Sequence, residues 1–204
     1  MALGYVRPAR PDEADEIARI QLSTWRTAYR RLLPRHVLAD LDEEFLARRW
    51  REAVLAPPSG RHRVLVAVEQ AGAETHLAGF AAIGPADETA LAPDEEPAAV
   101  TPAAVTELLV EPRWGRRGHG SRLLAASVDL WRGDGFGTAV AWVYEQDAAT
   151  RSFLTGAGWA PDGARRALDV DDLLVPQLRL HVSVAEDSVQ QGAEPDGQPG
   201  PVDH

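Results

Sequence analysis

Cysteine is missing from the 204 residues of this chain. Without a thiol the protein cannot form a disulfide, hold an iron–sulfur cluster, build a thiolate zinc site or use cysteine as a nucleophile. The 6 histidines show no metal-ligand spacing, so we predict no bound metal. A cysteine-free composition fits a reducing compartment, and we expect a cytoplasmic protein.

Lysine is also absent, and all 21 basic residues are arginines. The mononucleotide P-loop requires a lysine before its Ser or Thr, and standard protein kinases require a lysine that contacts the ATP phosphates. Enzymes that form a Schiff base through the protein also use a lysine amine. The sequence therefore disfavours all three classes of protein.

Long apolar runs and a basic face are missing as well. A membrane-spanning helix needs about 18 or more consecutive apolar residues, and the sequence has no such run. Arg7, Arg10 and Asp12 interrupt the region where a signal peptide has its apolar core. The formal net charge of −10 opposes general nucleic-acid binding, which needs a basic surface. We expect neither a membrane nor a nucleic acid as a partner.

Composition divides the chain into a domain and a tail. Residues 185–204 are rich in Gln, Gly, Pro and Asp and lack aromatic residues, which is typical of disorder. We predict one domain over residues 1–184 and a disordered tail over residues 185–204. Within the domain, apolar spacing predicts one helical stretch over residues 37–55. The acidic, proline-containing residues 84–102 predict a surface loop or a partly disordered lid.

The most informative motif is a glycine-rich turn, GRRGHG, at residues 115–120. Residues 105–110 before it are branched and apolar, which predicts a strand, and Glu111-Pro112 ends that strand. Apolar residues then recur at helical spacing over residues 123–131. Main-chain N–H groups in such a turn, together with the positive end of the helix, form a cradle for phosphate. The alternative is an ordinary turn, because glycine-containing turns are common.

Residues 108–124, LLVEPRWGRRGHGSRLL, resemble the acyl-CoA-binding motif of the GNAT superfamily of N-acetyltransferases. In that motif a strand and V-x-P precede Q/R-x-x-G-x-G/A, which opens a helix. Here Gly115 stands where the family usually has Gln or Arg. The resemblance implies acetyl-CoA as co-substrate, with its pyrophosphate on the turn and its pantetheine paired with the strand. The implied binding residues are Leu108, Leu109, Val110, Gly115, Arg116, Arg117, Gly118, His119, Gly120 and Ser121.

Two further regions resemble the same superfamily in order and spacing. Residues 6–34 resemble its first strand and helix, and residues 139–159 resemble its fifth strand, following helix and closing turn. The family usually has Asn where this chain has Asp147, and often Tyr where it has Leu154. The implied fold is α/β (α+β), with a mixed, mostly antiparallel central sheet of about 6–7 strands and about four flanking helices.

Acetylation of an amine requires removal of a proton, because an amine with a pKa of about 10.4 is almost fully protonated at neutral pH. Glu107 is the first candidate base, since a carboxylate in an apolar strand is costly unless hydrated, paired or used. It would otherwise face solvent or pair with an arginine. Asp147 is the second candidate, and its alternative role is a helix N-cap. A free N–H near Leu109 or Val110 is the expected oxyanion donor.

Trp25 and Tyr29 lie four residues apart on one face of the first helix. The resemblance implies that they line the acceptor pocket, and the alternative is packing in the core. It permits a small-molecule amine or a peptide or protein amine as acceptor, and it permits a homodimer.

The sequence therefore predicts an N-acetyltransferase in which a primary amine attacks acetyl-CoA directly in a ternary complex. The main alternative is a non-catalytic acyl-CoA-binding module, because Gly115 replaces the usual Gln or Arg and Leu154 cannot give a proton to the leaving thiolate. Water, Ser152 or Tyr144 would have to donate that proton, and nothing in the sequence chooses among them. A third alternative is a domain that binds an unrelated phosphate ligand.

Overall fold

A computed structural model describes residues 3–93 and 95–185 of the chain, so the predicted tail over residues 186–204 lies outside it. Strands form one seven-stranded sheet in the order β1-β2-β3-β4-β5-β7-β6. Strands β4 and β5 pair in parallel, and the other neighbouring strands pair antiparallel. The predicted mixed, mostly antiparallel sheet is confirmed. The strands are β1 Leu3–Pro8, β2 Arg63–Ala71, β3 Glu74–Pro85, β4 Ala103–Val110, β5 Thr138–Tyr144, β6 Ala160–Val170 and β7 Leu173–Ser183.

Helices cover both faces of this sheet. Ile17 and Ile20 of the first helix pack with Phe80 on one face, whereas Leu123 and Trp131 of the fourth belong to the larger core on the other. The helices are α1 Ala14–Ala28, α2 Arg35–Ala39, α3 Glu43–Leu55, α4 His119–Gly133 and α5 Ala148–Gly156. In the part of the chain that the structure describes, no helix has the length and apolar character needed to cross a bilayer.

The helical stretch predicted over residues 37–55 is wrong in detail, because it is two helices. A short α2 ends at Ala39, and α3 begins at Glu43. The Asp42 carboxylate accepts a hydrogen bond from the Phe45 N–H at 3.1 Å and so caps α3. A capping Asp satisfies an N–H that has no partner within the helix. Asp42 therefore favours the start of a new helix here over continuation of α2.

A β-bulge and a divergence of strands create the main opening in the fold. The register of β3 with β4 skips Thr106, whose hydroxyl donates to the Ala82 carbonyl at 3.1 Å. The parallel pairing of β4 with β5 consists of three pairs and ends at Val105–Ala141. Beyond this point the two strands separate, and the remainder of β4 presents its second edge to a gap in the sheet.

Candidate active site

A cleft of about 670 Å³ occupies the gap between β4 and β5. Elements distant in sequence line it, including α1, β4, the glycine-rich turn, β5, α5 and the β6–β7 hairpin. Arg117 is the one predicted site residue that the cleft lining does not include. The predicted residues that do line it are Trp25, Tyr29, Glu107, Leu108, Leu109, Val110, Gly115, Arg116, Gly118, His119, Gly120, Ser121 and Asp147.

The glycine-rich turn has the backbone of an anion-binding loop. Arg116 and Gly118 both adopt left-handed conformations, with φ of 61° and 81°. The first helical bond of α4 runs from the Arg122 N–H to the Gly118 carbonyl at 3.0 Å. The N–H groups of residues 119–121 therefore precede the first turn and remain available to a ligand. Successive N–H groups and the positive end of a helix both favour a bound phosphate.

Gly120 allows a ligand to approach this backbone closely. A Cβ atom at this position would lie 3.3 Å from the Phe153 ring and 3.7 Å from Val110 Cγ2. A side chain would therefore fill the space between α4, α5 and the end of β4. Arg116 lines the same end of the cleft and is exposed, so its guanidinium can contact a phosphate. The residues present fit the pyrophosphate of CoA.

His119 contributes main chain to the cleft while its side chain is fully buried beneath the turn. Its Nε2 lies 3.0 Å from Oε2 of Glu69, a carboxylate of β2 that is 4% exposed. Burial is the largest cause that lowers the pKa of His119, partly opposed by the charge of Glu69. The Arg117 guanidinium also lies 3.4 Å from Glu69 and stacks 5.0 Å from the Trp114 ring. Glu69 thus holds two residues of the turn from below.

We expect Glu69→Ala to lower both the stability of the protein and its affinity for CoA. Removal of this buried carboxylate takes away the Arg117 hydrogen bond and the charge beside the His119 imidazole, at a cost of about 1–3 kcal/mol, and frees the start of α4. Urea unfolding and CoA titration measure the two effects. Glu74→Ala is the matched control, because this β3 carboxylate is 80% exposed and pairs with the partly exposed His76. Equal unfolding midpoints for the two variants would contradict the role of Glu69.

The edge of β4 that faces the gap can pair with an extended ligand. The Glu111 N–H donates to the Ala78 carbonyl at 2.8 Å, on the β3 side. Because antiparallel hydrogen bonds alternate along a strand, Leu109 also bonds towards β3, whereas Leu108 and Val110 direct their N–H groups towards β5. Of the two expected oxyanion donors, the register therefore favours Val110 over Leu109.

Glu107 lies on β4 on the α1 side of the sheet and borders the cleft. Burial raises the pKa of this carboxyl to about 8, and a hydrogen bond from Gln21 partly opposes the shift. The Gln21 amide donates to Glu107 Oε1 at 3.5 Å and accepts from Trp50 Nε1 at 2.8 Å. The alternatives to a catalytic role were exposure to solvent or pairing with an arginine, and among the described residues this side chain shows neither.

Aromatic side chains surround this carboxylate. Tyr29 packs edge-to-face on Tyr144 of β5, with ring centroids 5.0 Å apart, and Trp25 lies 6.2 Å from Tyr29. Burial, followed by the charge of Glu107, raises the pKa values of both tyrosines. Both phenols therefore stay protonated at neutral pH and can serve as hydrogen-bond donors. Trp25 and Tyr29 line the cleft, and they also pack against neighbouring aromatic groups, so the structure shows features of both interpretations.

Asp147 borders the cleft but is engaged as a helix cap. Its carboxylate accepts from the Thr150 N–H at 3.0 Å and from the Thr150 hydroxyl at 2.7 Å. Leu154 is buried, and of the two side chains considered as substitutes for a tyrosine at that position, only Tyr144 is in the cleft lining. Ser152 is exposed on α5.

Sequence reasoning missed several residues that line the cleft. Arg166 and Gln177 are adjacent partners in the β6–β7 hairpin, and the loop between β3 and β4 contributes Thr89 and Ala90. The sequence of β6 places two arginines side by side, and only the hairpin register shows that Arg166 faces the cleft. Among residues 3–93 and 95–185, no three His, Asp or Glu side chains are grouped to hold a metal.

A model of the acetyltransferase (GNAT) family matches residues 19–159 of this chain. The chain is also similar to the uncharacterized N-acetyltransferase YuaI of Bacillus subtilis, with 29% identity over 142 residues, 70% of this chain and 72% of YuaI. The family match includes β4, the glycine-rich turn and α4.

Solved structures with the same fold hold the ligand that the cleft fits. YncA of Salmonella typhimurium, solved with its cofactor acetyl-CoA, has a TM-score of 0.63 at 18% identity and covers 96% of this chain and 99% of its own. The PaiA N-acetyltransferase of Thermoplasma acidophilum, in complex with coenzyme A, has a TM-score of 0.61 at 13% identity, with 89% and 99% covered. At such identities these similarities establish the fold. The matched family model extends over more than half of the sequence, and the chain belongs to the acetyltransferase (GNAT) family.

Proposed function

We propose that this acyltransferase moves an acetyl group from acetyl-CoA to the amine of an acceptor by direct attack in a ternary complex. The observation that carries the proposal is the placement of Glu107 in the cleft that opens between β4 and β5. In this arrangement the co-substrate approaches along β4 from the glycine-rich turn. The acceptor approaches from the side of α1.

Binding of CoA is assigned to the main chain of the turn and of β4. The amides of residues 119–121 and the Arg116 guanidinium hold the pyrophosphate. Pantetheine extends along β4 and pairs with Leu108 and Val110, as an added strand would. The CoA complexes of YncA and PaiA, which share this fold, support the assignment.

Proton removal is assigned to Glu107. With a pKa of about 8, this carboxyl is a stronger base than an ordinary glutamate, and a catalytic pKa close to the working pH is favourable. The acceptor ammonium gives its proton to Glu107, and the free amine forms a C–N bond to the thioester carbon. The Val110 N–H stabilises the resulting oxyanion. Asp147 remains a second candidate base, although its cap role occupies both carboxylate oxygens.

Collapse of this intermediate breaks the C–S bond and releases the CoA thiolate, which takes up a proton, while the attacking nitrogen gives its second proton to water and becomes the neutral amide. Tyr144 is the candidate donor, because its phenol lies in the cleft and stays protonated. A thiol with a pKa of about 8.5 leaves readily as thiolate near neutral pH, so water also suffices as donor. The amide product and free CoA then leave the cleft.

The binding half of the proposal predicts thermal stabilisation by CoA. A ligand at 100 times its Kd adds about 2.7 kcal/mol to the free energy of unfolding, which a melting curve detects. Pantetheine is the matched control, since it lacks the pyrophosphate and is expected to stabilise the protein much less. Equal stabilisation by the two compounds would contradict the assignment of the glycine-rich turn.

The catalytic half is tested by CoA release with a library of amines. We expect turnover and initial-velocity lines that intersect when both substrates are varied, as a ternary complex requires. Parallel lines would instead indicate an acetylated enzyme. Binding of acetyl-CoA without turnover on any amine would support the non-catalytic alternative.

A further inference from the structure

Arg166 of β6 occupies the acceptor side of the cleft. The register pairs it with Gln177, which is itself opposite Tyr144, so the three side chains project from the same face of the sheet. This face also carries Glu107 and faces α1. Residues directly opposite in an antiparallel ladder share a face, and Arg166 is therefore directed towards the space assigned to the acceptor.

The guanidinium of Arg166 is held in a defined orientation. Its Nε donates to Gln177 Oε1 at 2.7 Å, and its Cζ lies 4.3 Å from the centroid of the Trp142 ring. Its Nη1 donates to the Thr89 carbonyl in the loop between β3 and β4. A guanidinium carries five N–H groups in a planar fork. These contacts leave Nη2 and the second hydrogen of Nη1 to form a bidentate contact with a ligand.

The other two arginines of this hairpin form ion pairs with acidic residues, and Arg166 differs from them in this respect. Arg165 pairs with Glu145, and Arg179 pairs with both Glu95 and Asp162. Among the residues that the structure describes, no carboxylate lies within ion-pair distance of Arg166. Burial, together with the charge of Arg179, lowers its pKa, and the neighbouring Tyr144 opposes this shift. A partly desolvated cation without an anion favours binding of an anionic group.

Glu107, whose charge is opposite to that of Arg166, also lies close to the Tyr144 ring. Glu107 raises the pKa of the Tyr144 phenol and Arg166 lowers it, so both charges are close to this ring. The cleft therefore offers a carboxylate and a guanidinium to one small ligand, with Trp25, Tyr29 and Trp142 as aromatic walls. A ligand with an ammonium and a carboxylate near each other complements both.

We propose that the acceptor is an amine that also bears a carboxylate, of the amino-acid class, with its carboxylate on Arg166 and its amine directed to Glu107. This inference rests on the proposed function and names the substrate class of that site. Acceptors that lack the carboxylate leave Arg166 without an anion in the closed complex. They are therefore poor substrates, even where their side chains are the same.

The test compares each amino acid with the amine that remains when its carboxylate is removed. Suitable pairs are phenylalanine with phenethylamine, tryptophan with tryptamine, histidine with histamine and leucine with isoamylamine. We expect kcat/KM to favour the amino acid in at least one pair. Arg166→Gln should lower the preference ratio by about 10- to 100-fold, because a hydrogen-bonded charge contact is worth about 1.5–3 kcal/mol. The two amines of a pair differ in pKa, but this difference cancels when the ratio is compared between variants.

Two further variants separate recognition from structure. Arg166→Lys keeps the charge and should restore part of the preference, although it loses the planar fork. Arg165→Gln is the matched control, because Arg165 is the neighbouring residue, is exposed and pairs with Glu145 outside the cleft. Its ratio and its KM for acetyl-CoA should equal those of the wild type. A preference ratio unchanged by Arg166→Gln, or a wild type that acetylates only amines without a carboxylate, would overturn the proposal.

Binding measurements distinguish failure of this inference from failure of the proposed function. The protein saturated with CoA is titrated calorimetrically with the amino acid and with the amine of each pair. Tighter binding of the amino acid that Arg166→Gln removes would support the carboxylate site, even if no pair gives turnover and the proposed catalysis is wrong. Turnover without a carboxylate preference would retain the catalysis and reject the site.

Discussion

Gly118→Val is expected to weaken CoA binding by about 100-fold or more, since charged hydrogen bonds contribute about 1.5–3 kcal/mol each and several amides are displaced together. Gly118 precedes α4 with φ of 81°. A side chain costs about 1–2 kcal/mol in the left-handed conformation, and a β-branched residue is especially disfavoured there. The turn relieves this strain by a change of backbone direction, which moves the N–H groups of residues 119–121. Calorimetric titration with CoA measures the loss.

Gly135→Val is the matched control for this substitution. Gly135 follows α4 with φ of 80°, and a Cβ atom there would have no neighbour within 4 Å. The control therefore introduces the same kind of backbone strain at a distance from the cleft. We expect both variants to lose thermal stability, but only Gly118→Val to lose affinity. Wild-type affinity in Gly118→Val would show that these amides do not hold the ligand.

The glycine-rich turn was predictable because its information is local. A strand, a proline, spaced glycines and an apolar helix follow each other between residues 105 and 131. The residues of each segment favour the local structure that the segment adopts. The resemblance to a family placed two more segments in order along the same sheet. The separation of β4 from β5 that opens the cleft depends on a strand pairing that no local pattern of the sequence shows.

Other parts of the site depend on contacts that no local pattern encodes. The imidazole of His119 is buried against Glu69, a residue 50 positions earlier on β2. The environment of Glu107 depends on Gln21 and Trp50, which two different helices supply. Arg166 looks like one more charge in an alternating strand until the hairpin register puts it beside Gln177. In each case the sequence does not show which distant residue lies next to the side chain in the folded protein.

Glu107→Gln is expected to lower kcat by about 10²–10⁴, the usual contribution of a general base, with little change in the Kd of acetyl-CoA. Glutamine keeps the shape of the side chain and can still accept from Gln21, but it cannot take a proton from the acceptor ammonium. In the wild type, kcat should rise with pH to a plateau above about 8, following ionisation of the carboxyl. The variant should keep only the later rise at the pKa of the amine itself. Equal losses in kcat and in acetyl-CoA affinity would remove Glu107 as the base.

The same substitution changes how stability depends on pH, and this effect is independent of any acceptor. The pKa of Glu107 is raised by burial from 4.5 to about 8. Between these values the folded protein holds a proton that the unfolded chain has released, so stability falls as pH rises through this window. Each pKa unit changes the free energy of unfolding by about 1.4 kcal/mol. Because water in the open cleft screens the carboxylate, we expect the total change to be about 1–3 kcal/mol. Urea unfolding at pH 5 and pH 8.5 should therefore show that Glu107→Gln gains stability relative to the wild type at the higher pH. The exposed Glu74→Gln variant should instead follow the wild type at both values, and parallel behaviour of all three proteins would mean that Glu107 ionises as an ordinary solvated carboxylate.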